Sequence, residues 1–68
     1  MKYQFTLFSE QRKPLSCIIE ADSRLEFYNK GKAYKEAVKK ICLKRSMTTK
    51  DLAKYGYNKF AVRKNLED

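Results

Sequence analysis

The segment KYQFTLF, residues 2–8, decides the fold because apolar and polar side chains alternate along it. Tyr3, Phe5 and Leu7 fall on one side of an extended chain, and the two residues between them are polar. Aromatic side chains at a period of two are typical of a half-buried β-strand. We therefore expect a strand here, with one face in the core.

A second alternating segment follows a short polar loop. Its apolar positions are Leu15, Cys17, Ile19 and Ala21. Pro14 precedes them, and a proline suits a turn or the first residue of a strand because it has no backbone N–H to donate. The two segments together predict a β-hairpin.

The residues after the hairpin have a helical period. Ser23 and Glu26 have the spacing of a capping box, in which each side chain accepts a hydrogen bond from the other's backbone N–H. Apolar-side positions then recur at intervals of three and four, at Phe27, Gly31, Tyr34, Val38 and Ile41. This pattern predicts one long amphipathic helix over about residues 24–45.

A short helix is expected over residues 49–55. Thr48 and Asp51 repeat the capping-box spacing, and Gly56 suits the left-handed residue that ends a helix. Tyr57 then has two possible roles: it packs back against the helix as the hydrophobic contact of its C-terminal cap, or it stacks on a base among the neighbouring cations.

The segment 59–64 has two interpretations. Apolar and polar residues alternate along it, which favours a third strand. Residues 51–66 instead resemble the helix-turn-helix of bacterial repressors, although Ala53 and Gly56 are three positions apart and that motif has four. We prefer the strand and keep the recognition helix as the alternative.

These elements predict an α+β fold in the order β-β-α-α-β, as a single small domain over residues 1–68. The third strand lies beside the first because the chain crosses over through the helices, which gives an antiparallel sheet of order 2-1-3. The long helix covers one face of this sheet. The open face presents Lys2, Gln4, Thr6, Phe8, Ser16, Ile18, Ala61 and Arg63.

Positive charge is concentrated in residues 30–64, which hold twelve basic residues and two acidic ones, whereas residues 1–29 hold four of each. An excess of lysine indicates a polyanionic partner and suits phosphate neutralisation rather than the reading of base edges. The hypothesis requires these cations to share one exposed side. The expected nucleic-acid-binding residues are Lys32, Lys35, Lys39, Lys40, Lys50, Lys54, Tyr57, Asn58, Lys59 and Arg63.

The composition argues against enzymes and metal proteins. The chain has no histidine, and its two cysteines, Cys17 and Cys42, fall on predicted core positions. We expect no catalytic residue, no metal and no cofactor. No apolar run approaches the roughly 18 residues of a membrane span, so we expect a cytoplasmic protein without membrane contact.

The leading hypothesis is a non-enzymatic DNA- or RNA-binding module. One alternative is a protein-binding module, such as a small phage- or plasmid-type inhibitor or regulator of a nucleic-acid-processing complex, whose basic surface enters an acidic groove. Another is a homodimer joined through the open sheet face, where Phe8 and Ile18 are exposed.

Overall fold

Three strands and three helices make up the fold, which the computed structural model describes over residues 1–65. The elements are β1 (Lys2–Phe8), β2 (Leu15–Glu20), α1 (Leu25–Tyr28), α2 (Lys32–Arg45), α3 (Thr49–Lys54) and β3 (Lys59–Lys64). The predicted α+β class is confirmed, with α2 as the long helix.

β1 is the central strand, and it pairs antiparallel with both of its neighbours in the order β2-β1-β3. Phe5 in β1 lies opposite Cys17 on one side and Val62 on the other. All three side chains are buried, so the same row of the sheet faces the core in every strand. The predicted hairpin and the predicted strand order are both confirmed.

The core is centred on the ring of Phe5, which is fully buried. Its centroid lies 5.8 Å from that of Phe27, 5.7 Å from that of Tyr34 and 5.3 Å from that of Phe60. Aromatic pairs at such separations contribute about 0.5–1.5 kcal/mol each beyond the burial of their area. The cluster joins β1 to α1, α2 and β3.

The prediction of a single helix over residues 24–45 is wrong, because the helix is interrupted between α1 and α2. Lys30 adopts a left-handed conformation with φ of 55°. The N–H of Gly31 donates to Asn29 Oδ1 at 2.9 Å and to the Glu26 carbonyl at 3.1 Å. A Cβ at Gly31 would lie 3.3 Å from that carbonyl oxygen and 2.8 Å from Asn29 Oδ1, so a glycine fits the turn.

Of the two hydrogen bonds in the capping box predicted at Ser23, only the one accepted by the Glu26 side chain forms. The Glu26 carboxylate accepts hydrogen bonds from the backbone N–H groups of Asp22 at 2.6 Å and Ser23 at 3.4 Å. The N-cap position of α1 belongs to Arg24, whose backbone is already helical, and its side chain makes no cap hydrogen bond. Ser23 therefore lies one residue before the N-cap position, and its side chain does not accept the reciprocal hydrogen bond.

The caps predicted for α3 are confirmed at both ends. Thr48 Oγ1 accepts from the Asp51 N–H at 3.2 Å, and Asp51 Oδ2 accepts from the Thr48 N–H at 2.9 Å. At the other end Gly56 has φ of 77°, and the Tyr57 N–H donates to the Leu52 carbonyl at 3.0 Å. Tyr57 is buried with Leu52, as the hydrophobic contact of a C-terminal cap requires.

The segment after Gly56 is the predicted strand, and the helix-turn-helix alternative is wrong over the described residues. β3 pairs with β1 over its whole length, and backbone hydrogen bonds therefore satisfy the second edge of β1. Val62 is buried and Phe60 packs against the core. The proposed recognition helix extended to Leu66, which lies outside the described residues.

Substitution of Gly56 tests the cap that directs the chain into β3. We expect Gly56→Ala to lower the free energy of unfolding by about 1–2 kcal/mol, because L-residues are strained at positive φ. The added Cβ meets only Ser9 Oγ at 3.6 Å and Gln11 Nε2 at 3.7 Å, so steric overlap adds little. Urea denaturation should show a lower midpoint with an unchanged m-value.

The matched control is Gly56→Asn, because asparagine tolerates the left-handed region. It should keep more of the wild-type stability than Gly56→Ala. Equal midpoints for the wild type and both variants would show that the conformation of Gly56 does not limit stability.

Candidate nucleic-acid interface

The lysines of α2 lie on two opposite flanks of the helix. Lys40 and Lys44 line a depression beside β2, together with Gln4, Ser16, Cys17 and Ile18. Lys35 and Lys39 line a different depression, toward the start of α3. The helix therefore contributes cations to two separate surfaces.

Lys40 reaches the free edge of the sheet. Its Nζ donates a hydrogen bond of 2.8 Å to the carbonyl of Ile18 in β2, which is an edge strand. Unpaired edge groups attract other chains, and a lysine at the edge discourages such pairing. The ammonium group is held in place and keeps two further N–H groups for a ligand.

The cations continue along β2 toward the hairpin loop. Arg45 lines a second depression, of about 370 Å³, with Arg12, Lys13, Leu15, Met47 and Tyr57. The linings of the two depressions include consecutive residues of the chain, Lys44 and Arg45 in α2 and Leu15 and Ser16 in β2. We call these cations the basic strip: Arg12, Lys13, Lys40, Lys44 and Arg45.

Arg12 is fixed at the loop end of the basic strip. Its guanidinium carbon lies 3.7 Å from the centroid of the Tyr55 ring, and Lys54 Nζ lies 5.9 Å from the same centroid. The loop is anchored here because the Ser9 hydroxyl donates to the Tyr55 carbonyl. Stacking on an aromatic face lowers the conformational entropy that the arginine would lose on binding an anion.

The acidic groups of residues 1–65 are occupied elsewhere or lie outside the strip. Their two ion pairs join the N-terminus to Glu20 at 3.5 Å and Lys32 to Glu36 at 4.0 Å. Glu26 and Asp51 accept hydrogen bonds at helix starts. Among residues 1–65, no Asp or Glu lines either depression of the basic strip.

The ten residues predicted to bind nucleic acid do not form one surface, so the requirement of one exposed cationic side is not met. Lys40 belongs to the basic strip, and Lys54 lies beside Tyr55 at its end. Lys35 and Lys39 line the depression on the other flank of α2. Lys32 pairs with Glu36.

The remaining predicted residues lie on other parts of the molecule. Lys50 is exposed on α3, and Asn58 and Lys59 line a depression that also contains Glu10. Arg63 is exposed on the open sheet face, where it lies opposite Gln4 in the adjacent strand.

Tyr57 is not available as a base-stacking residue, because its ring is buried. Its hydroxyl donates to the Lys13 carbonyl at 2.7 Å, which ties the segment between α3 and β3 to the hairpin loop. Tyr57 is therefore a structural residue beneath the basic strip, and we remove it from the site.

Four members of the basic strip were missing from the predicted residues. Lys44 and Arg45 are in the cationic segment, and the spacing of four between Lys40 and Lys44 places both on one helix flank. Arg12 and Lys13 belong to the charge-balanced half of the chain, and only the folded hairpin brings them to Arg45.

The open sheet face is mixed in character. Phe8 is 40% exposed and Ile18 is 38% exposed. Ile18 lies opposite Gln4, which lies opposite Arg63, so the apolar side chains are separated by polar ones. Self-association through this face stays a prediction.

Both thiols occupy the predicted core positions. Burial raises the pKa of Cys17, and the ammonium groups of Lys40 and Lys44 lower it in part. Burial also raises the pKa of Cys42, and the nearby Asp51 carboxylate adds to the rise. A raised pKa keeps a thiol protonated and therefore weakly nucleophilic at neutral pH.

Over residues 1–65, no cluster of three or more Cys, Asp or Glu residues could hold a metal ion. The helices of the same residues are too short and too polar to cross a bilayer.

Comparisons with protein-family models, with curated proteins and with solved structures give no match for this chain.

The buried thiols predict a pH dependence of stability. A thiol whose pKa is higher in the folded than in the unfolded protein contributes its full stabilisation below the unfolded pKa, which is about 8.5. That contribution is lost as the pH rises through the folded pKa. We expect wild-type stability to fall relative to Cys17→Ala/Cys42→Ala between pH 7 and pH 10. Urea denaturation with a reductant present measures both proteins.

The double variant controls for every other pH-dependent contribution to stability, because both proteins share it. If the difference in unfolding free energy between the two proteins stayed constant with pH, the thiols would have equal pKa values in the folded and unfolded states.

Proposed function

We propose that this protein binds DNA or RNA through the phosphate backbone, using the basic strip. The observation that carries the proposal is the set of five cations that line two depressions along α2, β2 and the hairpin loop, whose lining among residues 1–65 contains no acid. Cations gathered without counter-charges raise the local concentration of a polyanion.

The chemistry of the strip favours phosphate over base recognition. Lysine ammonium groups act as point charges, and each phosphate that they neutralise releases a condensed counterion. Arg12 presents a fixed planar guanidinium, which can hold two phosphate oxygens at once. Tyr55 already has that guanidinium over its ring, so we assign it no stacking on a base.

The proposal concerns a non-enzymatic module that acts in the cytoplasm, where reducing conditions keep its two free thiols reduced. Phosphate contacts position a protein on nucleic acid without reading sequence. We therefore expect similar affinities for unrelated sequences of the same length and strandedness.

Salt dependence tests the proposal directly. If each of the five cations neutralises one phosphate, the slope of log K against log salt should be about −4.5. Affinity for a mixed-sequence oligonucleotide should then fall about 500-fold between 50 and 200 mM salt. Fluorescence anisotropy over this range gives the slope, and a flat affinity would refute phosphate binding.

Charge reversal on one helix flank locates the contact. We expect Lys40→Glu/Lys44→Glu to reduce the slope toward about −2.7, because two phosphate contacts are lost. The control Lys35→Glu/Lys39→Glu makes the same change in net charge on the same helix, but on the other flank. It should keep a slope near −4.5.

Equal losses in the two double variants would show that only net charge matters and that the basic strip is not the site. Circular dichroism of both variants confirms that each is folded before affinities are compared.

A further inference from the structure

A separate groove lies on the flank of α2 that faces the start of α3. It is an open depression with a volume of about 370 Å³, and its accessible surface is almost wholly apolar. The residues that line it are Tyr34, Lys35, Val38, Lys39, Cys42 and Thr49. Val38 is half-buried and Cys42 is buried, whereas both lysines are exposed.

The two lysines give the groove its chemical character. Lys35 and Lys39 are one helical turn apart and therefore neighbours on the surface of α2. Neither takes part in the two ion pairs found among residues 1–65. An apolar floor beside two unpaired ammonium groups is complementary to an apolar side chain flanked by carboxylates.

We propose that this groove binds an acidic peptide segment of a partner protein. One aliphatic side chain of the segment packs on Val38 and Cys42, and neighbouring carboxylates of Asp or Glu pair with Lys35 and Lys39. The area of the groove alone is small, so the segment binds weakly and reversibly unless the partner makes other contacts.

Nucleic acid fits the groove less well than a peptide. A base needs an aromatic face to stack on or polar groups to pair with its edge. Tyr34 is the only aromatic residue among 1–65 that lines this groove. Its ring already packs edge-on against Phe5 and tilted against Phe60, with Lys30 Nζ 5.9 Å from its centroid. The apolar floor has almost no polar surface to contact a base edge.

The neighbouring acid orients the segment. Thr49 lines the groove at the start of α3, and the carboxylate of Asp51, two residues further along, accepts the Thr48 N–H at 2.9 Å. A carboxylate of the partner is repelled at this end of the groove. Its acidic residues must therefore lie toward Lys35 and Lys39.

Nuclear magnetic resonance of the ¹⁵N-labelled full chain tests the proposal. The probes are three synthetic peptides of twelve residues: one with a central Leu flanked by Glu on both sides, one with Gln in place of every Glu, and one with Ser in place of Leu. We expect the Glu–Leu peptide to shift the backbone signals of Lys35, Val38, Lys39, Cys42 and Thr49. Both substituted peptides should bind at least tenfold more weakly.

The charge-reversed variants supply the control. Lys35→Glu/Lys39→Glu should weaken the Glu–Leu peptide at least tenfold, whereas Lys40→Glu/Lys44→Glu should leave its affinity within about twofold. Groove signals that do not move at millimolar peptide would overturn the proposal. Equal binding of the Gln peptide would overturn it as well.

An oligonucleotide arm separates this inference from the proposed function. A mixed-sequence single strand that shifted the groove signals more than the peptide does would assign the groove to nucleic acid and overturn the peptide proposal. The two proposals use opposite flanks of α2, so each can fail while the other stands.

Discussion

The packing of Phe5 in the central strand is the contact on which the rest of the structure depends. Its ring meets Phe27 from α1, Tyr34 from α2 and Phe60 from β3, and its strand pairs with both neighbours. A chain of this length buries only about 60% of its unfolded surface, so it has few side chains with which to build a core. One aromatic cluster therefore holds elements that are distant in sequence.

The same packing decides where the cations of α2 are exposed. The helix lies on the sheet through its buried residues Ala33, Ala37 and Ile41, which leaves a flank on each side of the contact. One flank faces the free edge of β2, and the other faces α3. Lysines that are interspersed in sequence are thus divided between two surfaces of different chemistry. Since the apolar contact fixes the rotation of the helix, it also fixes this division.

The elements with strong local signals were predictable, and those set by a single backbone conformation were not. Alternation located all three strands, and the Thr48–Asp51 box with Gly56 located α3. The break at Lys30 was not predicted, because the apolar spacing continues through it from α1 into α2. Its cause is a left-handed residue next to an Asn29 side-chain bond, and neither changes the hydrophobic period.

The site was harder to predict than the fold, because a count of charges along the sequence does not show on which surface of the folded chain each side chain lies. Summing cations over residues 30–64 correctly identified a basic half of the chain but joined residues that the sheet separates, such as Lys35 and Arg63. Lys40 shows what the count misses: its ammonium group donates to the Ile18 carbonyl and thereby covers an exposed strand edge. In the proposed function that residue also contacts phosphate. The two roles are compatible because a polyanion lying along β2 covers the same edge that the lysine protects from other chains.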